Sequence, residues 1–300
     1  MKNFVYTKDN VYLTNAQRRF YEDNGYLLVK NLVDWNLLDE CKERFLKFCN
    51  EKDSGVKVLT TMRDPYLKKK DIKGEYVVNK IQDILFDEVF FKYAAYQPLV
   101  DIVQSMIGPN ITVFHSMLIN KPPDSTIDNS RHPLHQDLVY MPLRPARSIV
   151  TTWTAMERVT KENGCLFVVP GSHKRQLYTH ELPSNIKNYG FYGAIGVGDV
   201  TTVSIEMEKG DTIFFHPLLL HGSWPNLTKG FRKALSCSYG DSNIKFINVK
   251  GTIQENMGNE IERLGRRMGF KDASVNQLFK MKSALLRGKP GNFQKLDSHL

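Results

Sequence analysis

Cysteine is scarce in this chain of 300 residues. The sequence contains four cysteines, which are scattered along the chain without a C-x-x-C pair. This pattern indicates neither a disulfide framework nor a zinc cluster, and it favours a reducing interior compartment. A chain of this length can bury a substantial apolar core without such cross-links. We therefore expect a globular protein whose fold depends on side-chain packing.

Long apolar runs are also missing. No run reaches the roughly 18 consecutive apolar residues that a membrane-spanning helix needs. Residues 1–10 (MKNFVYTKDN) lack the basic stretch followed by an apolar stretch that marks a secretory signal. The sequence therefore predicts no membrane span and no secretion.

Positive charge predominates, but it forms no extended block. The formal net charge is +9 and the pI is about 9.2, which favours anionic partners such as the phosphates of coenzyme A. The short run at residues 68–70 (KKK) is of the kind that usually lies in a solvated loop. No motif that reads nucleic acid is present, so nucleic acid is not an expected partner.

The first third of the chain has the apolar periodicity of helices. Residues 16–24 and 37–48 each place apolar side chains at helical spacing among charged ones. Residues 88–107 continue this pattern, and Pro98 is expected to divide them into two shorter helices.

From residue 111 onward, short runs rich in β-branched and aromatic residues alternate with Pro, Gly, Asn and Asp turns. This spacing is typical of an antiparallel sandwich or barrel. The predicted strands lie at residues 111–119, 149–154, 165–169, 201–206, 212–215 and 234–239. Residues 255–269 and 273–286 return to helical spacing.

We predict a mainly β protein with flanking helices around a jelly-roll core. No repeat or low-complexity linker divides the chain, so residues 1–300 are expected to form a single domain. Its expected parts are a mainly helical layer at 1–110, the jelly-roll core at 111–240, C-terminal helices at 241–297 and a short tail at 298–300.

A candidate metal site begins with His135 and Asp137. On an extended strand, residues two apart point to the same face and can chelate one ion. An H-x-D pair alone is common, but a later strand delivers His221, and Arg232 follows eleven positions on. Two histidines and one carboxylate form the open triad that suits non-haem iron(II). The arginine fork can hold a dicarboxylate whose 2-oxo acid end chelates the metal.

Two alternatives stay open at this point. His216 competes with His221 as the third ligand; we favour His221 because Gly222 permits close backbone approach there. Arg232 could instead form an ordinary surface salt bridge. His132, His173 and His180 have no compatible partner spacing and are expected to be structural, and His115, inside a predicted strand, is expected to pack in the core.

The chain resembles the phytanoyl-CoA dioxygenase family across nearly its whole length. The matching blocks are 118–124 (LINKPPD), 130–138 (SRHPLHQDL), 153–157 (WTAME), 163–173 (NGCLFVVPGSH), 209–223 (KGDTIFFHPLLLHGS), 230–237 (GFRKALSC) and 249–256 (VKGTIQEN). So many blocks in the same order do not arise by chance.

The resemblance implies a double-stranded β-helix (jelly-roll, cupin-like) core and iron(II) on His135, Asp137 and His221. It implies 2-oxoglutarate held chiefly by Arg232. Further expected contacts of this co-substrate are Lys80, Met117, Gln136, Trp153 and Ser223, besides the metal ligands. Without the resemblance, core packing would be the interpretation of Met117 and Trp153, and solvated charge that of Lys80.

The implied reaction is 2-hydroxylation of a 3-methyl-branched fatty acyl-CoA such as phytanoyl-CoA, with O2 as oxidant and ascorbate as the expected reductant that maintains iron(II). It opens α-oxidation in the peroxisome matrix. The tail, Ser298, His299 and Leu300, is a variant of the S-K-L signal read by the peroxisomal import receptor. The rival interpretations are the same chemistry on another acyl-CoA or a free acid, and an acyl-CoA-binding protein without catalysis.

Overall fold

The architecture is that of a computed structural model of the chain. The described residues are 4–9, 11–52, 54–58, 60–63, 73–123, 130–182, 192–271 and 274–294. The lysine run at 68–70 and the tail at 298–300 lie outside them. Within the described residues, no helix is long and apolar enough to cross a membrane.

Six α-helices flank the sheets of the described chain. The first begins at a capping box, in which the Thr14 hydroxyl accepts from Gln17 N and the Gln17 side chain accepts from Thr14 N. It ends at Gly25, whose φ of 80° is a conformation that glycine adopts without strain. The helices are α1 (Asn15–Asn24), α2 (Trp35–Asn50), α3 (Glu88–Ala94), α4 (Gln97–Ile107), α5 (Glu255–Arg267) and α6 (Val275–Met281).

Sixteen strands form the β-structure of the described residues. They are β1 (Tyr26–Val29), β2 (Thr60–Arg63), β3 (Val78–Gln82), β4 (Ile111–Lys121), β5 (His132–His135), β6 (Leu143–Arg144), β7 (Ile149–Ala155), β8 (Leu166–Val168), β9 (His180–Glu181), β10 (Gly193–Ala194), β11 (Val203–Ile205), β12 (Thr212–Phe215), β13 (His221–Ser223), β14 (Arg232–Asp241), β15 (Lys245–Phe246) and β16 (Ala284–Arg287).

Two antiparallel sheets face each other. The larger has the order β1-β12-β7-β14-β4-β3-β2, with β16 beside β4, and the smaller has the order β11-β8-β13-β5. β6 and β15 form one short pair, and β9 and β10 form another. This architecture confirms the predicted mainly β fold with a jelly-roll core and flanking helices.

The large sheet separates two apolar clusters. On β14, Leu235 and Cys237 pack with the helices in one cluster, whereas Ala234 belongs to the cluster between the sheets. Because side chains alternate along a strand, Arg232 and Ser236 share the face of Ala234. This inner face of the large sheet, directed toward the small sheet, carries the candidate site.

Many predicted elements correspond to observed ones, and two differences stand out. Pro98 lies in the first turn of α4, and the predicted helix at 88–107 is divided as expected. The first third also contributes β1, β2 and β3, which the helical interpretation missed. The predicted helix at 273–286 is wrong at its end, because Ala284–Arg287 pairs with β4 as a strand.

Candidate active site

The small sheet brings the two candidate histidine ligands together. His135 ends β5 and His221 begins β13, and the two residues are direct partners in the antiparallel register. The sequence analysis expected Asp137 to continue this strand. Instead, Asp137 begins the 3-10 helix Asp137–Tyr140. The turn is fixed by Leu138 N, which donates to Pro217 O at 2.9 Å. The His135, Asp137 and His221 ligand atoms all lie within 4.8 Å of one another.

Hydrogen bonds with the backbone orient both rings. His135 Nδ1 lies 2.9 Å from Pro133 O, and His221 Nδ1 lies 3.0 Å from Leu219 O. Since a carbonyl can only accept, each Nδ1 carries the proton and each Nε2 presents its lone pair. Both Nε2 atoms face the same Asp137 oxygen, at 3.5 Å and 3.6 Å. Two nitrogens and one carboxylate oxygen thus converge as ligands suited to iron(II).

The charge states of the cluster also suit metal binding. Burial lowers the pKa of His221 to about 4, so the ring is neutral at pH 7. Burial by itself raises the pKa of Asp137, but the fields of His221 and His135 outweigh it and hold this pKa at about 2. The cluster at neutral pH is therefore one carboxylate with a neutral His221 beside it.

Arg232 lies buried on the inner face of the large sheet, as the first residue of β14. Its side chain is 1% exposed, and burial lowers its pKa to about 10. Among the described residues, neither Nε nor Nη1 of this guanidinium has a hydrogen-bond partner. A buried, unpaired guanidinium is costly unless a ligand neutralises it. Both nitrogens are donors that a carboxylate ligand could accept from in charge-assisted hydrogen bonds.

Met117, Trp153 and Lys80 lie on the same inner face. Met117 on β4, Ser236 on β14 and Trp153 on β7 form one row across the sheet. The Trp153 ring lies under the guanidinium of Arg232, with its centroid 5.2 Å from Cζ. Lys80 on β3 lies in the neighbouring row, opposite Ile119 of β4. Burial lowers the pKa of Lys80 to about 8, although the negative charge of Asp137 acts to raise it. The three residues share the inner face with Arg232, and their contacts with 2-oxoglutarate stay predictions.

Gln136 lies between the ligands in sequence, but its side chain is fully used by the backbone. Its Nε2 donates to Gln176 O and Leu218 O, and its Oε1 accepts from Tyr178 N at 2.8 Å. Its own N–H donates to His180 Nε2 at 2.9 Å. The predicted contact of Gln136 with 2-oxoglutarate stays a prediction; the observed bonds give it the role of fixing the segment between the two ligands.

His216, the competing third ligand, lies in a different cluster. Its Nδ1 accepts from Leu218 N at 3.1 Å, and its ring packs against Tyr6 and His173, with centroids 5.1 Å and 5.6 Å away. It is not part of the group that could hold a metal. The choice of His221 over His216 therefore agrees with the geometry.

The sequence analysis missed one buried charge near the site. Lys121, the last residue of β4, is the cross-strand partner of Arg232 and is 7% exposed. Its Nζ donates to the Ser223 hydroxyl at 2.8 Å. The alternation of β4, in which His115, Met117 and Lys121 share one face, was the signal that could have found it.

The fold and the His-Asp-His cluster together define the class of non-haem iron oxygenases that use 2-oxoglutarate. The family model described as "Phytanoyl-CoA dioxygenase (PhyH)" matches residues 21–234. This chain belongs to the phytanoyl-CoA dioxygenase family.

Named relatives support this assignment, and a solved structure shares the fold. The chain is 45% identical to "Phytanoyl-CoA dioxygenase, peroxisomal" of Rattus norvegicus, over 96% of this chain and 87% of that protein. It is 42% identical to the protein of the same name from Homo sapiens, over 97% and 88%. The crystal structure of EctD from S. alaskensis with bound Fe has the same fold, with a TM-score of 0.63 and 17% identity over 81% of this chain and 84% of that one.

Proposed function

We propose that this protein is an iron(II)- and 2-oxoglutarate-dependent dioxygenase that hydroxylates C2 of a 3-methyl-branched fatty acyl-CoA, with phytanoyl-CoA as the expected substrate. The observation that carries the proposal is the buried guanidinium of Arg232, two of whose nitrogens have no hydrogen-bond partner among the described residues, in a fold that also assembles His135, Asp137 and His221. A metal cluster alone would suit many reactions. The additional anion site makes it suit a metal-chelating dicarboxylate.

His135, Asp137 and His221 would hold the iron, and Arg232 would hold the distal carboxylate of 2-oxoglutarate. When bound, iron(II) supplies oxidation chemistry: O2 is consumed, 2-oxoglutarate is decarboxylated to succinate and CO2, and one oxygen atom enters a C–H bond of the substrate. O2 and ascorbate belong to the proposal as oxidant and reductant.

The protein's own residues position the reactants and restrict water. The Pro133 and Leu219 carbonyls fix the orientation of the two rings and direct Nε2 of each toward the metal position. Trp153 is 3% exposed and covers one face of the Arg232 guanidinium. In such a site a carboxylate meets a preorganised cation with little water to compete.

The acyl-CoA substrate is supported by the relatives and by charge. The rat and human relatives are named phytanoyl-CoA dioxygenases. The net charge of +9 suits a ligand with several phosphates. Hydroxylation at C2 would open α-oxidation, the route available where a 3-methyl group blocks β-oxidation.

The same relatives support a peroxisomal location, since both names include that compartment. We propose that the protein acts in the peroxisome matrix and that Ser298, His299 and Leu300 bind the import receptor. We further propose that residues 1–300 form a single catalytic domain.

The test is turnover of 2-oxoglutarate to succinate by iron-loaded protein, with phytanoyl-CoA, hexadecanoyl-CoA or free phytanic acid as the added substrate. We expect phytanoyl-CoA to stimulate succinate release most and to yield the 2-hydroxy product. Equal succinate release with all three compounds would contradict phytanoyl-CoA as the substrate but not the 2-oxoglutarate-dependent oxygenase reaction. No iron(II) binding and no succinate would favour an acyl-CoA-binding protein without catalysis.

A further inference from the structure

Two cations lie side by side on the inner face of the large sheet. Lys121 on β4 and Arg232 on β14 are direct cross-strand partners, and they are 7% and 1% exposed. Like charges placed directly opposite on one face repel each other, and burial weakens the screening by water. The field of Glu157 reaches Arg232, but a Glu157 oxygen already accepts from Lys233 N at 2.6 Å. An anionic ligand between the sheets would relieve the repulsion.

The ammonium of Lys121 also connects the two sheets. Its Nζ donates to the Ser223 hydroxyl at 2.8 Å and to Trp224 O at 2.5 Å. Ser223 is two residues after His221 on β13, so its side chain points to the same side of the small sheet as the metal ligand. Gly164 packs against this lysine: a Cβ there would lie 2.8 Å from Lys121 Cδ. The lysine stem is therefore held in one position.

The direction of this hydrogen bond determines what Ser223 can do. A hydroxyl has one proton to donate and accepts through its lone pairs, whereas an ammonium only donates. Because Lys121 occupies a lone pair of Ser223 Oγ, the proton of that hydroxyl remains available to another acceptor.

We propose that Lys121 is a positioning residue for the distal carboxylate of 2-oxoglutarate: it holds Ser223 as a donor toward the carboxylate that Arg232 binds, and its charge adds to the attraction for this anion. The inference rests on the proposed function, since it concerns the same co-substrate. It assigns Lys121 no contact with the metal or with the acyl-CoA.

The experiment compares two ligands that differ only at the distal end. 2-Oxoglutarate and 2-oxopentanoate share the 2-oxo acid group, but the second has a methyl group in place of the distal carboxylate. Binding of each to the iron(II)-loaded protein is followed without O2 by the visible absorption of the 2-oxo acid chelate. Lys121→Met is expected to raise the dissociation constant of 2-oxoglutarate about tenfold, the effect of one lost charge-assisted interaction. The dissociation constant of 2-oxopentanoate is expected to change less than about twofold.

Lys233→Met is the matched control. Lys233 is as buried as Lys121 and adjoins Arg232, but it points to the other side of the sheet, where it pairs with Glu75 at 2.7 Å. This variant is expected to leave the ratio of the two dissociation constants unchanged. Ser223→Ala should also weaken the binding of 2-oxoglutarate selectively, and the loss in the double variant should be smaller than the product of the two single losses, since part of both effects passes through one hydrogen bond.

Several results would overturn the inference. An equal loss for both ligands in Lys121→Met would mean a general structural role, and no loss would mean that the lysine plays no part. If Lys121→Met does not fold, Lys121→Gln, which keeps a donor without the charge, must still weaken 2-oxoglutarate selectively. Failure of the wild-type protein to bind either ligand would overturn the proposed function itself.

Discussion

At the scale of single residues, the candidate site depends on side chains whose remaining atoms are held by the backbone. The two histidine rings use Nδ1 in hydrogen bonds with Pro133 O and Leu219 O, and Gln136 uses its whole amide group. Arg232 differs, because among the described residues two of its nitrogens have no partner. A buried side chain with unsatisfied polar atoms needs an explanation, and a bound carboxylate supplies one here.

Replacing the third ligand should separate the two competing histidines. His221→Ala is expected to weaken iron(II) binding by more than about 100-fold, because ligand replacement costs more than loss of a residue that only supports a ligand. His216→Ala should change it by less than about threefold, since His216 packs with Tyr6 and His173 instead. Anaerobic calorimetric titration with iron(II) measures both. The reverse order would mean that the metal is held elsewhere.

Replacement of Arg232 should weaken the binding of 2-oxoglutarate but not the binding of iron(II). Arg232→Ala is expected to raise the dissociation constant of 2-oxoglutarate about 100-fold, because charge-assisted bonds to a buried carboxylate contribute roughly 3 kcal/mol. The same chelate absorption measures it, and iron(II) affinity should stay within about threefold. A parallel loss of iron would show that Arg232 supports the metal site instead.

Sequence reasoning succeeded for residues with a distinctive chemical type and failed for those defined by contacts. The two histidines, the aspartate and Arg232 stood out by residue type, spacing and family blocks. Lys121 did not, because a lysine is usually solvated. Its role depends on Ser223, which is distant in the chain and reaches it only when the two sheets face each other.

At the scale of elements, β13 is the strand that assembles the site. It pairs with β5 on one side and β8 on the other, and its first residue is a candidate ligand. Gly222 in its centre leaves no room for a side chain. A Cβ there would lie 2.5 Å from Phe167 Cζ and 2.6 Å from His132 O.

Gly222→Ala is therefore expected to lower the free energy of unfolding by about 1–3 kcal/mol, the usual cost of overpacking, and to weaken iron(II) binding because it displaces His221. Gly230→Ala is the control, since nothing lies within 4 Å of a Cβ at that position. Chemical denaturation and metal titration of both variants measure the difference. Equal behaviour of the two variants would contradict the close packing around β13.

The elements that sequence predicted best are those with local signals. The run at 212–215 coincides with β12, and α1 has both a capping box and a terminal glycine. β1, β2, β3 and β16 were missed because each is short and is stabilised by pairing with a strand distant in sequence.

At the scale of the whole molecule, the N-terminal segment is tied to the sheets through a buried histidine cluster. Tyr6 packs edge-on against the rings of His173 and His216. These two histidines are 1% and 2% exposed. Burial lowers the pKa of His173 to about 4; burial, and then the field of His173, lowers that of His216 to about 3. Both rings are therefore neutral in the folded protein at pH 5.

These pKa values predict loss of stability in mild acid. The unfolded chain binds protons on these rings near pH 6.5, while the folded protein does not bind them until about pH 4. The unfolded state therefore binds more protons in this window, and stability falls as the pH falls from about 6.5 toward 4. His216 alone should account for about 2 kcal/mol between pH 7 and pH 5.

Denaturant titrations of the wild-type protein and of His216→Phe at pH 7 and pH 5 measure this contribution. The phenylalanine keeps an aromatic ring beside Tyr6 but cannot bind a proton. The variant is expected to lose about 2 kcal/mol less than the wild type between the two pH values, whatever its stability at pH 7. An identical pH dependence would show that His216 is protonated in the folded protein.

The global arrangement was predictable because mainly β chains with short strands and few cross-links have few ways to bury their apolar faces. Its details were not. The register that places His135 opposite His221 and Lys121 opposite Arg232 depends on contacts between strands far apart in the chain. Those contacts decide which residues share the inner face.

We propose that the site couples 2-oxoglutarate decarboxylation to hydroxylation at C2 of a branched acyl-CoA. The most direct measurement is turnover of phytanoyl-CoA under 18O2, with mass analysis of both products. We predict that the 2-hydroxyacyl-CoA and the succinate form in equal amounts and that each carries one 18O atom from O2. A C2 hydroxyl derived entirely from water, or succinate formed without a hydroxylated acyl-CoA, would contradict the account.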